Sequence, residues 1–179
     1  MAKSFRGKLD GLDEETLARF LEGNSLARLA CLKLDGSPYV VPVWYHWDGE
    51  SIWFVGRQRS VWCKYIQNDG RVCVVIDSEH SPPDESGQRI EIPKVIMEGV
   101  AEIVEEPNVG GKWVEIAEQM SYRYLGPNGP EYLTGTINQP RWLIKMTPDS
   151  MKTWQGVGWA RRYWVEDAGG ATYEEAHGE

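Results

Sequence analysis

Three scarcities narrow the field. Cysteine occurs three times, at Cys31, Cys63 and Cys73, an odd count without a C-x-x-C spacing. That speaks against a disulfide framework and a zinc site, and it fits a reducing compartment. Histidine also occurs three times, at His46, His80 and His177, too scattered to read as metal ligands. No G-x-S-x-G nucleophile motif is present. No metal and no covalent nucleophile are expected, and no catalytic residue declares itself. Long apolar runs are missing as well. No window approaches eighteen apolar residues, and the first twenty, MAKSFRGKLDGLDEETLARF, hold no apolar stretch. The expectation is a cytoplasmic protein without a membrane span or signal peptide.

Positive charge is the fourth shortage. Against 27 Asp and Glu there are 19 Lys and Arg, a formal net charge of -8. A polyanion would be repelled over much of that surface, so a nucleic-acid partner is disfavoured. A small anion can still bind where cations gather locally.

What the chain has in quantity is aromatic surface: nine Trp and eight Tyr in 179 residues, with 41% hydrophobic residues overall. One domain over residues 1–166 is expected, with a polar mobile tail at 167–179. The aromatics favour a flat stacking ligand or an aromatic interface, with core packing as the plain alternative.

The order of elements follows from periodicity and turn residues. A first helix is expected from about Glu14 to Glu22, capped by Asp13, with Leu12 stapled onto Leu17. Three strands follow, Ser25–Leu34, Pro38–Trp47 and Ser51–Gly56, separated by Asp35-Gly36 and Asp48-Gly49. Asp-Gly between apolar runs predicts a three-stranded antiparallel meander. Pro42 lacks an N–H and is expected to interrupt the second strand. A Ser60-capped helix over Val61–Asn68 precedes a strand at Arg71–Asp77. Next comes a long strand at Lys94–Glu106, with Gly99 a candidate bulge. Trp113, Ile116, Ala117, Met120 and Tyr124 form one stripe of a further helix, closed by Gly126. Pro140–Met146 and Ser150–Gln155 read as a last strand pair about Thr147-Pro148-Asp149. The fold class is mainly β with flanking helices (α+β), an antiparallel barrel, with a sandwich as the alternative.

Three segments carry candidate chemistry. Val55–Lys64 holds Arg57, Arg59 and Lys64 and no acid, where about one cation would be average. Its arginines precede Ser60 and a helix start. Orphan N–H groups, the positive end of the helix dipole, a hydroxyl and guanidiniums together suit a phosphate. Each charge-assisted hydrogen bond would contribute about 1.5–3 kcal/mol. A solvated basic turn is the competing reading. In Tyr39–Tyr45, a ladder broken at Pro42 would turn backbone groups near Val41, Val43 and Trp44 towards a heteroaromatic ring; an edge strand with a proline is the alternative. In Thr153–Trp164, Trp154, Trp159, Tyr163 and Trp164 alternate with Arg161 and Arg162, fit to wall a pocket or pack on a second subunit.

The ordered set resembles a known family. LARLACLKLDGSPYVVPVWYHWDGESIWFVG, the Ser-capped helix, NDGRVCVVID, IMEGVAEIVE, RYLG and PRWLIKMTPDSMKTW are similar to the pyridoxamine-phosphate-oxidase-like family of flavin and deazaflavin oxidoreductases. The likeness covers about residues 13–164. It implies an FMN-binding split β-barrel, a homodimer with cofactor sites at the interface, and hydride transfer to or from a small-molecule substrate. It implies that Val41, Pro42, Val43 and Trp44 meet the ring of FMN or of a deazaflavin of the F420 type. Arg57, Arg59, Ser60 and Lys64 would hold the phosphate, and Trp154, Trp159 and Arg161 would close the site. A non-catalytic flavin-binding or sequestering protein is the alternative on the same barrel. Three departures stand out. Val61 and Trp62 occupy the places of an Arg and a Lys, Gly70 stands where a Pro is common, and VGWARRYW replaces the Arg-Leu-His motif after WQG, which counts against pyridoxamine phosphate as substrate.

Overall fold

The computed structural model describes residues 11–77 and 93–155. The expected tail at 167–179, with Trp159 and Arg161, lies outside them. Helix α1 (Glu14–Leu21) starts where Asp13 Oδ1 accepts the Thr16 N–H at 2.7 Å. Its Leu21 is fully buried, and Leu17 and Phe20 pack against the same core.

Both Asp-Gly pairs make turns. The first joins β1 (Ala27–Leu32) to β2 (Pro38–Val43), with Asp35 accepting the Ser37 N–H at 2.9 Å. The second joins β3 (His46–Trp47) to β4 (Ile52–Arg57). There the Asp48 carboxylate accepts from Ser51 N–H at 2.7 Å, Glu50 N–H at 2.9 Å and the Trp53 indole at 2.7 Å.

The expected meander is corrected at its middle strand. β2 does not break at Pro42, which is exposed and pairs in register with Arg28. Along this path β2 has β1 alone as a neighbour, and an edge strand tolerates proline. The strand ends at Val43, and the break falls at Trp44-Tyr45. Beyond it the chain pairs with β4 instead of continuing beside β1.

That break closes the barrel. The strand order is β2-β1-β5-β6-β7-β4-β3, where β5 is Arg71–Asp77, β6 is Pro93–Asn108 and β7 is Arg141–Met146. β2 and β3 are the two ends of the sheet, yet they follow one another in the chain across Trp44-Tyr45. The antiparallel sheet therefore curls until its ends meet, giving the split β-barrel.

β7 and β8 (Ser150–Gln155) do not pair with each other as expected. They run end to end along β6, β7 beside Ala101–Asn108 and β8 beside Pro93–Glu98. Gly99 is at their junction and is not a bulge. A Cβ there would lie 3.0 Å from the Thr147 carbonyl oxygen, so the glycine admits the crossing backbone. The irregular register comes later, between Ile103 and Asn108.

Alternation along β4 and β7 serves two cores. Phe54, Ile144 and Met146 face the barrel interior with Leu29, Ile76 and Met97. Trp53 and Leu143 face outward against α3 (Trp113–Leu125) and a short helix that the sequence did not announce, α4 (Gly129–Thr134). Full burial of each such large side chain contributes about 1.5–3 kcal/mol. Helix α2 (Val61–Asn68) presses Trp62, Cys63 and Ile66 onto the inner core. It comes close because Gly56 has no Cβ; one would run into Cys63 Sγ.

Candidate functional site

A cleft of about 290 Å³ opens where β2 ends, β4 ends, α2 begins and the α3–α4 pair covers the outer face. Its apolar walls are Val43 and Val55 from the strands, Trp62 from α2, Ala117 and Met120 from α3, and Leu133 from α4. Its polar groups are Arg57, Ser60, Ser121, Tyr132 and Arg141. Among the described residues no Asp, Glu or His lines it.

The strand break sets the shape of one wall. Trp44 stacks on Tyr124 with ring centroids 4.8 Å apart and planes 8° from parallel, and Tyr132 tilts towards it at 6.1 Å. Tyr124 in turn donates its hydroxyl to Ser25 O at 3.0 Å and accepts the Tyr45 N–H at 3.3 Å. Its neighbour Arg123 donates to the carbonyls of Leu21 at 2.5 Å, Tyr45 at 3.2 Å and Gly23, with its guanidinium 4.2 Å from the centre of the Tyr45 ring. Tyr45 is fully buried and donates its hydroxyl to Leu21 O at 3.0 Å. Burial pushes its phenol up to about 12. The RYLG segment thus ties α3 to the end of α1 and fixes the break that Trp44 projects from.

The basic end is built from two strand termini. Arg57 closes β4 and Arg141 opens β7, directly opposite in register. Arg57 Nη2 donates to the Tyr132 hydroxyl at 3.1 Å. Arg141 is 7% exposed, bonds Thr136 Oγ1 at 2.6 Å and lies 5.2 Å from the centre of the Trp113 ring. Burial, then the charge of Arg57, lower its affinity for the proton. Ser60 precedes α2 with extended backbone, but its hydroxyl makes no cap bond to the helix. The first N–H groups of α2 therefore have no side-chain cap from it.

Of the residues the sequence singled out, the structure brings Val43, Trp44, Arg57 and Ser60 together around this cleft. Val41 packs on the barrel core and Pro42 faces outward from β2. Arg59 and Lys64 are exposed and do not line the cleft. Trp154 lies on β8 with Lys94 Nζ 5.9 Å over its ring, also away from the cleft lining. Arg141, Tyr132 and Trp62 went unnoticed in sequence. Arg141 owes its place to β4–β7 pairing, which leaves no local signal. Trp62 read only as a departure from a basic pattern. Among the described residues no three His, Cys, Asp or Glu side chains gather as a metal would require, and no helix is long and apolar enough to cross a membrane.

The sequence model of the family described as pyridoxamine 5'-phosphate oxidase matches residues 13–155. No curated protein matches in sequence. Among solved structures, a conserved hypothetical protein of Mycobacterium tuberculosis is 24% identical with a TM-score of 0.65, covering 84% of this chain and 88% of its own. An F420 reductase is 22% identical with a TM-score of 0.54, covering 75% and 94%. The heme storage protein of Vibrio cholerae is 17% identical with a TM-score of 0.59, covering 82% and 96%. At these identities the likeness shows a shared fold.

Proposed function

Because the chain belongs to the pyridoxamine 5'-phosphate oxidase family, we propose that it is an oxidoreductase that holds a flavin-type cofactor, FMN or a deazaflavin, in the cleft at the strand break. The observation that carries this reading is the pairing of two features in one cleft. A flat aromatic and apolar wall, Val43, Trp44 and Val55, lies beside an anion-seeking end, Arg57, Ser60 and the start of α2. A fused ring with a phosphate tail needs both. The residues present fit such a group: planar wall, hydroxyl, guanidinium and uncapped helix start.

The cofactor supplies the hydride chemistry when bound. The chain's part is to bind and orient. Val43 and Trp44 set the plane of the ring, and Arg57 and Ser60 anchor the phosphate. Trp62 and Met120 keep water from the apolar side. Among the described residues that line the cleft there is no carboxylate or imidazole, which agrees with chemistry carried by the cofactor. The same feature favours the second reading, a non-catalytic flavin-binding or sequestering protein.

A second copy of the chain would complete the site. Arg59 and Lys64 are exposed beside the cleft-forming turn, and Val61 is 49% exposed on the same helix. A homodimer covering this region would bring them towards the cofactor. The thiols of Cys31, Cys63 and Cys73 are all free, which supports a cytoplasmic location.

The experiment is a titration of purified protein with FMN, a deazaflavin and heme, followed by steady-state turnover. Saturable binding of FMN or the deazaflavin, with reduction and reoxidation by substrates, supports the oxidoreductase. Binding without turnover across a nicotinamide and quinone panel selects the sequestering reading. Binding of heme alone rejects both.

A further inference from the structure

We propose that Arg57 and Arg141 together form the seat of a phosphoryl group, with Arg141 as its buried half. That the phosphate belongs to a flavin rests on the reading above; the seat itself does not.

Arg57 and Arg141 are direct cross-strand partners in β4 and β7. Like charges placed opposite one another destabilise a sheet unless something compensates. The ion pairs among the described residues join Arg28 to Asp77, Arg71 to Asp69 and Lys152 to Glu98. Neither arginine of the cleft is in one. Arg57 reaches a phenol and Arg141 a threonine hydroxyl, both neutral.

Burial sharpens the case. Arg141 is 7% exposed and carries a permanent charge. A guanidinium has five N–H donors, and Arg141 Nε, buried, has no partner. Half-buried Arg123, by contrast, spends its donors on three backbone carbonyls. Arg141 instead lines the cleft with only neutral partners, Thr136 and the Trp113 ring, and no paired carboxylate among the described residues, while Arg57 repels it from the neighbouring strand. Buried charge is costly without a counter-ion. Two guanidiniums, the Tyr132 hydroxyl and the Ser60 hydroxyl line one cleft, a donor set suited to a tetrahedral oxyanion, which accepts several charge-assisted bonds at once. This seat also answers for the basic residues missing at the helix start. Val61 and Trp62 put no cation at the first turn of α2, and β7 supplies one beside Arg57.

The probe is inorganic phosphate at constant ionic strength, read by thermal unfolding with chloride as the reference. Wild-type protein should gain a saturable, phosphate-specific rise in Tm, as for any ligand that binds the folded state. Arg57→Gln and Arg141→Gln should each weaken the half-saturating concentration at least about tenfold, the loss expected for one charge-assisted contact. Lys152→Gln, which removes an exposed cation that does not line the cleft, should respond like wild type. If Arg141→Gln fails to fold, Arg141→Lys and Arg57→Gln carry the test. Absence of a phosphate-specific shift in wild type, or an unchanged response in Arg57→Gln and the Arg141 variant, overturns the seat. FMN and riboflavin then identify the source. If Arg57→Gln weakens FMN about tenfold and leaves riboflavin alone, the phosphate is the cofactor's. If FMN is unaffected while the phosphate response is lost, the seat serves the phosphate of a substrate. A protein that takes phosphate but no flavin or deazaflavin keeps the seat and removes the cofactor reading.

Discussion

Trp44 lies flat on Tyr124, 8° from parallel with centroids 4.8 Å apart. This one contact joins the end of β2 to α3 and holds open the side of the cleft where a ring would stack. Trp44→Ala removes an aromatic pair worth about 0.5–1.5 kcal/mol beyond its buried area. It should weaken FMN or deazaflavin binding at least about tenfold while costing about 1 kcal/mol of stability. Fluorescence titration beside urea unfolding checks both numbers. Full affinity in the variant would remove Trp44 from the site.

Arg123 does for the scaffold what Trp44 does for the wall. Its guanidinium serves carbonyls of Leu21, Gly23 and Tyr45 and stacks on the Tyr45 ring. Arg123→Ala should destabilise the fold by about 2–4 kcal/mol, because bonds to a charged donor contribute about 1.5–3 kcal/mol each and do not add in full. Arg123→Lys should restore little, since an ammonium lacks the planar fork. Urea midpoints of the two variants against wild type measure this.

Gly56 sets the distance between β4 and α2. Gly56→Ala drives a methyl into Cys63 Sγ and against the Trp62 ring. Overpacking of this kind costs about 1–3 kcal/mol. The helix start should shift away from Arg57, so cofactor affinity should fall together with Tm. Loss of stability alone, with affinity intact, would mean that the α2 start does not hold the ligand.

Acid stability has a local signature at the turn from α2 into β5. The Arg71 side chain, then its N–H, hold the Asp69 carboxyl down to about 2. Its folded value lies below the unfolded one, near 4. The stabilisation is therefore complete above about pH 4 and is lost as pH falls towards 2. The Tm advantage of wild type over Asp69→Asn should shrink across that window. A difference that stays constant from pH 6 to below 3 would contradict the linkage.

Much of this was readable one element at a time. The Asp13 cap, both Asp-Gly turns, the Trp113–Met120 stripe and α2 depend on neighbours in the chain, and periodicity reveals neighbours. What stayed hidden depends on distant pairing. Pro42 looked like the break because its missing N–H is a local fact, whereas the true break at Trp44-Tyr45 is imposed by Tyr124, Arg123 and the end of α1. β7 and β8 looked like partners because a turn separates them, yet β6 is long enough to pair with both. The candidate site divides in the same way. Arg57 and Ser60 announced themselves by clustering. Arg141 did not, because only the β4–β7 register sets it across from Arg57.

The central claim is that this cleft holds a phosphate-bearing flavin-type ring against Trp44 with Arg57 at its phosphate. The most direct measurement is the affinity of purified wild-type protein and Arg57→Gln for FMN, a deazaflavin and riboflavin. Saturable binding of FMN or the deazaflavin, weakened at least about tenfold by the substitution, is the predicted result. A wild-type protein that binds neither cofactor would contradict it.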